Sequence, residues 1–350
     1  MSPEDIAGQN FAEAMKAGLV TIQDYMRFAN NAYYSRKDPL GAEGDFITAP
    51  EISQIFGEMV GIWLTDIWLR HDRPRHCHYV ELGPGRGTLA ADALRTMRRF
   101  GFEPQVHFVE NSAALRTMQL QAVPHAIQYA DVASLPDDGP LLVIANEFFD
   151  ALPIRQMMKT DAGWCERFVV PDGTGFLPVP GATATDDLVP SQFRVASVGS
   201  IFESCPDGEN IMQEIAQRVD RQGGAVLTID YGYTQSALGS SLQAVKNHVY
   251  ADPFADVGQC DLTAHVDFSR LAQVAQDAGL SVAGPVDQGR WLSALGVRQR
   301  AEKLLQSHPD RAADIAAGVN RLVHPDAMGS LFKVMAAYAP SWPVPEGFGA

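Results

Sequence analysis

Between residues 52 and 63 apolar side chains recur at Ile52, Ile55, Phe56, Met59, Val60, Ile62 and Trp63. Spacing of three and four puts them on one stripe of a helix, and such a stripe packs on a core. From about residue 77 the period changes. "HYVEL", "VHFVE", "IQYA" and "LLVIANEF" are short, nearly continuous apolar runs, and between them "TLAADALRTMRRF" and "SAALRTMQLQA" keep the helical spacing. Strands apolar on both faces and separated by helices predict a parallel sheet covered on both sides. "GGAVLTIDYGY" predicts a fifth strand and "SLFKVMAAYA" a last one. Further helices are expected at "ENIMQEIAQRVD", at "FSRLAQVAQDAG" behind a capping Asp267, and over much of 290–322. The fold class is α/β.

Three regions break this alternation. Residues 3–35 read as helical, with Thr21 and Asp24 starting "IQDYMRFANNAYY", and "KDPLGAEGDF" as an irregular loop before a Thr48-x-x-Glu51 capping box. Around 155–206, "IRQMMKT", a "DAG" turn and "WCERFVV" read as a hairpin excursion. Residues 234–264 carry Gly, Ser and Pro punctuation. The expected organisation is an N-terminal helical segment, 1–70, and one α/β domain, 71–350, with insertions at 155–206 and 234–264.

With 350 residues, the chain can bury a large core. Its net charge of −15 argues against a nucleic-acid partner, which calls for a basic surface, and suits a cationic peptide. No apolar run approaches the roughly 18 residues of a membrane span, so no membrane insertion is expected. Cys77, Cys165, Cys205 and Cys260 have no metal-binding spacing, so no metal is expected. "MSPEDIAGQNF" has neither a signal-peptide core nor an Arg-rich amphipathic pattern, which predicts a cytoplasmic protein if the source is a bacterium.

The chemistry concentrates in "YVELGPGRGTLAADALR". A strand ends in Glu81, and Gly83, Pro84, Gly85, Arg86 and Gly87 form a tight turn before a helix beginning at Thr88. Missing Cβ atoms let a ligand meet the backbone at a helix N-terminus. The dinucleotide fingerprint is G-x-G-x-x-G, whereas the spacing here is G-x-G-x-G with an acid two positions earlier. That acid suits a ligand with cationic centres better than a pyrophosphate, and S-adenosylmethionine has that charge pattern. Glu110, ending the second strand, is placed for its ribose hydroxyls. Asp131 is expected at the adenine amino group, with Val132 as an apolar floor. Asn146 is expected to hold the cofactor or the loop backbone. Glu147, then Asp150, then Asp230 are candidate carboxylates for clamping a substrate, with His265 as a candidate proton acceptor.

"GDFITAPEISQIFGE", "ELGPGRGTL", "NEFFDALPIRQ", "IDYGY" and "DLTAHVDF" resemble the MidA-like family, from about Tyr33 to beyond Gly296. The resemblance implies a Rossmann-like class I methyltransferase with a mostly parallel, seven-stranded sheet. It carries the cofactor motif onto Glu81, Gly83, Gly85 and Gly87, and implies that Gly44–Glu51 folds over the cofactor. It further implies methylation of an arginine in a protein partner, a respiratory complex I core subunit, with mitochondrial relatives. A homodimer is compatible with the sequence. Alternatives are a cofactor-binding assembly factor without turnover, a small-molecule O- or N-methyltransferase, and an NAD oxidoreductase.

Overall fold

In a computed structural model, residues 20–34, 48–173, 175–246 and 249–349 are described. The helix expected before residue 20, the loop "KDPLGAEGDF" and residues 44–47 of the motif Gly44–Glu51 lie outside them. The chain divides into two compact units. One comprises 47–149, 211–234 and 268–350, and the other 1–46, 150–210 and 235–267.

The larger unit is built on seven strands: β1 (His78–Leu82), β2 (Gln105–Val109), β3 (Ile127–Tyr129), β4 (Leu141–Asn146), β5 (Gly224–Tyr233), β6 (Ser281–Asp287) and β7 (Phe332–Tyr338). Their order is β6-β7-β5-β4-β1-β2-β3. The pairs from β5 through to β3 are parallel, and β7 runs antiparallel to both β5 and β6. Every residue of β1 and β4 is buried, as continuous apolar runs require in a sheet covered on both faces. Strand β6 is the one that periodicity misses. Gly284 and Pro285 interrupt its alternation, and its register against β7 shifts between Ala283 and Val286.

Strands β1 and β4 are neighbours, yet the chain leaves them toward opposite edges of the sheet. Such a switch opens a crevice beyond the carboxyl ends of the two strands. Leu82 stands opposite Ala145, so Gly83 and Asn146 emerge side by side.

Helices α1 (Gln54–Arg70), α2 (Thr88–Arg98) and α3 (Ala113–Ala122) flank these strands. Gly57 and Gly61 let α1 approach α2 closely: a Cβ at Gly57 would lie 2.7 Å from the Asp92 Cβ, and one at Gly61 2.6 Å from the Ala93 carbonyl oxygen. Glu58, buried on α1, is neutralised by Arg300 at 2.7 and 2.9 Å. A buried carboxylate persists when paired in this way. The helix that carries the glycine turn is thereby fixed from behind.

The smaller unit is antiparallel. Its main sheet runs in the order Val20–Thr21, Gly163–Asp172, Arg155–Thr160, Ile201–Ser204, with Gly175–Ala184 added to Gly163–Asp172. Ile22, Tyr25, Met26 and Ala29 of the helix Ile22–Tyr34 join Val169, Ala244 and Leu262 in one core cluster. Thr21 caps that helix, its hydroxyl accepting from the Asp24 amide at 3.0 Å, as the sequence predicts. The expected hairpin excursion is this sheet. Gln243–Lys246, Val249–Ala251 and Asp261–Thr263 form a second, three-stranded sheet.

Candidate functional site

The turn after β1 is made of three left-handed glycines, with φ of 57° at Gly83, 54° at Gly85 and 82° at Gly87. Such backbone is cheap for glycine and strained for any other residue. The Gly87 amide donates to the Pro84 carbonyl at 2.7 Å and closes the turn. Gly87 then sits at the cap position of α2, which has no side-chain cap. The first amides of α2 are therefore left for a ligand, at the positive end of the helix dipole. A Cβ at Gly83 would stand 3.0 Å from the Phe148 ring, and one at Gly87 3.2 Å from the Ala122 Cβ.

Two acids border the turn. Glu81 is 3% exposed and accepts from the Tyr79 hydroxyl at 2.5 Å. Burial pushes its carboxyl up to about 8, with the tyrosine bond pulling the other way. The negative charge expected here is thus largely titrated away at neutral pH, and a cation beside it would restore it. Glu110 follows β2 and accepts from the Ser112 amide at 2.8 Å and from Gln119 Nε2 at 3.2 Å. Its carboxyl is also raised by burial, against those hydrogen bonds.

Gln119 is a site residue that sequence reading misses. Fully buried on α3, it also donates from Nε2 to the Gly85 carbonyl at 3.0 Å, tying the glycine turn to Glu110. The available signal is its place four residues after Leu115, on the inward stripe of α3, where an apolar residue is expected. Asp131 is exposed, and its Oδ1 accepts from the amide and hydroxyl of Ser134 at 3.0 and 2.8 Å. It caps the short turn that buries Val132. Amides bared by glycine, a buried and a half-buried acid beside them and an apolar floor fit S-adenosylmethionine, which combines a carboxylate, cationic centres, a diol and a flat ring.

The end of β4 is built differently. Glu147 takes φ of 50°, a left-handed conformation without a glycine. What holds it there is Asp230 of β5, fully buried. Its Oδ2 accepts from the Phe148 and Phe149 amides at 3.2 and 3.0 Å, and its Oδ1 from the Tyr231 amide at 2.9 Å. Asp230, expected as a third clamping acid, instead organises the loop. Glu147 Oε1 accepts from the Ala49 amide at 2.8 Å and from Asn146 Nδ2 at 3.2 Å.

The expected capping box at Thr48 does not form. The helix Ala49–Ile52 has no side-chain cap, and Ser53 starts α1 separately, accepting from the Ile55 amide. Glu51 is drawn instead to the Thr88 hydroxyl at 2.6 Å.

Asp150 and His265 belong to the smaller unit. Asp150 is buried, and its carbonyl accepts from the amide of Ala264, the residue before His265, at 3.0 Å. The two candidates are therefore brought together within that unit. Asn30 holds the arrangement, donating from Nδ2 to the Ala151 and Leu262 carbonyls at 2.9 and 2.8 Å. Burial lowers the His265 imidazole below its ordinary value, against Glu203, so it is neutral at pH 7 and able to accept a proton.

A family model described as S-adenosyl-L-methionine-dependent methyltransferase matches residues 59–286. The chain is 35% identical, over 91% of its length and 81% of the relative, to the mitochondrial protein arginine methyltransferase NDUFAF7 of Mus musculus. It is 34% identical to the homologue in Drosophila melanogaster, over 95% of this chain and 84% of that one. Among solved structures, an uncharacterised protein from Burkholderia thailandensis superposes with a TM-score of 0.83 at 25% identity, covering 99% of this chain and 95% of that one. A methyltransferase-like protein of that organism, crystallised with S-adenosyl-homocysteine, shows the same fold, with a TM-score of 0.82 at 24% identity and coverage of 99% and 94%. Glycine turn, flanking acids, strand order and sequence relationship converge: the chain belongs to the MidA-like family of S-adenosyl-L-methionine-dependent methyltransferases.

Proposed function

We propose that this enzyme methylates a guanidinium nitrogen of an arginine in a protein, the target being a respiratory complex I subunit or its assembly intermediate. The observation that supports it most directly is the carboxylate Glu147, fixed at the end of β4 immediately beside the glycine turn. The activity printed for the curated relatives, protein arginine methylation, agrees with it.

When bound, the cofactor supplies a methyl group on a sulfonium sulfur, which keeps the bond electrons as the methyl leaves. The Gly85 and Thr88 amides, with Glu81, would hold its amino-acid part, since the Gly83 and Gly87 amides already donate to the Val109 and Pro84 carbonyls. Glu110 would take its ribose hydroxyls, and Val132 the face of its base. Asp131, exposed beside Val132, would take the exocyclic amino group. Transfer is an in-line displacement, so alignment of the nucleophile supplies most of the catalysis. A guanidinium is a weak nucleophile while its lone pair is delocalised. Glu147 pairs with the guanidinium and draws its positive charge away from the reacting nitrogen. The methylated guanidinium keeps the charge it began with. One N–H proton is therefore lost, and Glu147 receives it before it passes to water.

Glu147→Gln keeps an acceptor for the Ala49 amide but removes the charge. Turnover is expected to fall at least about 100-fold, with cofactor affinity measured by calorimetry changed by less than about threefold. Full activity in that variant removes Glu147 from the scheme. The substrate is tested by mass spectrometry of complex I subunits from cells with and without the gene. Methylarginine is expected only when the gene is present; identical spectra in both strains exclude the subunit as substrate.

A further inference from the structure

At the boundary between β4 and its loop lies a polar atom with no part in the chemistry proposed for Glu147. Asn146 is 8% exposed. Its Nδ2 donates to Glu147 Oε1 at 3.2 Å. A carboxylate oxygen only accepts, so this contact settles which way the amide faces: nitrogen toward Glu147, Oδ1 away from it. Among the described residues Oδ1 has no hydrogen-bond partner, and it is closed to water. Leaving a buried acceptor unmet costs about 1–3 kcal/mol. Native proteins keep few such groups, and a catalytic role is one of the reasons they are kept.

The surroundings say which ligand. Asn146 is the last residue of β4, opposite the end of β1, so it stands beside the first glycine of the turn. The ring of Phe148, two residues on, lies against Gly83. Asp230 grips the Phe148 and Phe149 amides, so the orientation of the whole end of β4 is fixed before any substrate arrives. An acceptor held this rigidly, next to a carboxylate and next to the cofactor turn, is matched to a nitrogen that carries hydrogen.

We infer that Asn146 is a catalytic residue whose Oδ1 accepts a hydrogen bond from the N–H of the nitrogen being methylated, orienting its lone pair toward the methyl carbon. This assigns Asn146 to the reacting nitrogen in place of the cofactor-holding role expected from the sequence, and it rests on the proposed arginine reading for the identity of the nitrogen. Labour is divided between neighbours. Glu147 takes the charge and the proton, whereas Asn146, which takes no proton, sets direction. The new bond is nitrogen to methyl carbon, the bond lost is carbon to sulfur, and the electron pair stays on sulfur.

The test uses an analogue of the cofactor, sinefungin, in which an amine replaces the sulfonium methyl and so presents N–H groups where the reacting pair would meet. By calorimetry the wild-type protein is expected to bind it at least about tenfold tighter than S-adenosylhomocysteine, the gain of one matched hydrogen bond to a charged group. Asn146→Ala is expected to abolish that preference and leave S-adenosylhomocysteine affinity within about twofold. The variant loses only the Nδ2 bond to Glu147 and leaves a small cavity, so Tm is expected to fall by less than about 5 °C; Asn146→Ser repeats the comparison with a smaller cavity. A preference that survives in the variants, a wild type without one, or equal loss of both ligands overturns the inference. So does a fall in Tm beyond about 5 °C in both variants, which marks a structural amide. The arginine reading fails separately: acid hydrolysis of protein labelled from methyl-tritiated cofactor would then give a methylated residue other than arginine, with the binding comparison unchanged.

Discussion

The ends of β1 and β4 stand side by side and solve opposite problems with the same backbone conformation. After β1, three glycines turn left-handed, and the main chain itself becomes the binding surface. After β4, Glu147 turns left-handed at φ of 50°, because a side chain is wanted there and glycine has none to offer. The first solution has no steric cost. The second costs of order 1–3 kcal/mol in backbone strain and is stabilised by the two hydrogen bonds that the Phe148 and Phe149 amides donate to Asp230. On the proposed reading, the chain removes side chains where it would meet the cofactor and forces one into place where it would meet its substrate.

This contrast can be broken at either end. Gly85→Val places a β-branched residue at φ of 54° in the turn. Calorimetry on the folded variant should find cofactor affinity reduced by about a thousandfold or more, since both strain and the lost backbone approach oppose binding. Affinity near wild type would mean that the ligand is held elsewhere. Asp230→Ala tests the other end. With three amides left unmatched, Tm should fall by about 10 °C and turnover by about 100-fold, with smaller effects on cofactor affinity. A variant that keeps its activity would show that Glu147 needs no support.

The smallest expected effect sharpens the comparison. Glu81 is raised to about 8 by burial, and a cationic ligand favours its ionised form. Cofactor affinity should therefore rise with pH, by up to about tenfold per unit between pH 6 and 8, and level off above that. In the apo protein the sign is reversed. A carboxyl raised on folding gives stability that is complete below its ordinary value near 4.5 and is lost as pH rises through about 8. Glu81→Gln should flatten the binding profile; an unchanged slope would assign the titration to another group.

Much of this was legible in the residues. Five parallel strands, the glycine turn and the two acids at strand ends follow from period and spacing, because each is a local pattern. Strand β6 escapes because Gly284-Pro285 sits inside it. Gln119, Asp230 and Ser53 escape for another reason: their partners are set by tertiary contact, and a carboxylate that grips three amides reads in sequence like one awaiting a substrate. Thr48 and Glu51 make the same point from the other side. Their spacing matches a capping box, but the nearby Thr88 hydroxyl takes Glu51.

That last hydrogen bond bears on which nucleotides the enzyme turns away. Glu51 stands on the first residue of α2, at the pole where a dinucleotide would rest its diphosphate. An anion supplied by the chain itself makes that pole inhospitable to a second, doubly charged one. The repulsion it adds is larger for a diphosphate than for a zwitterion of modest charge.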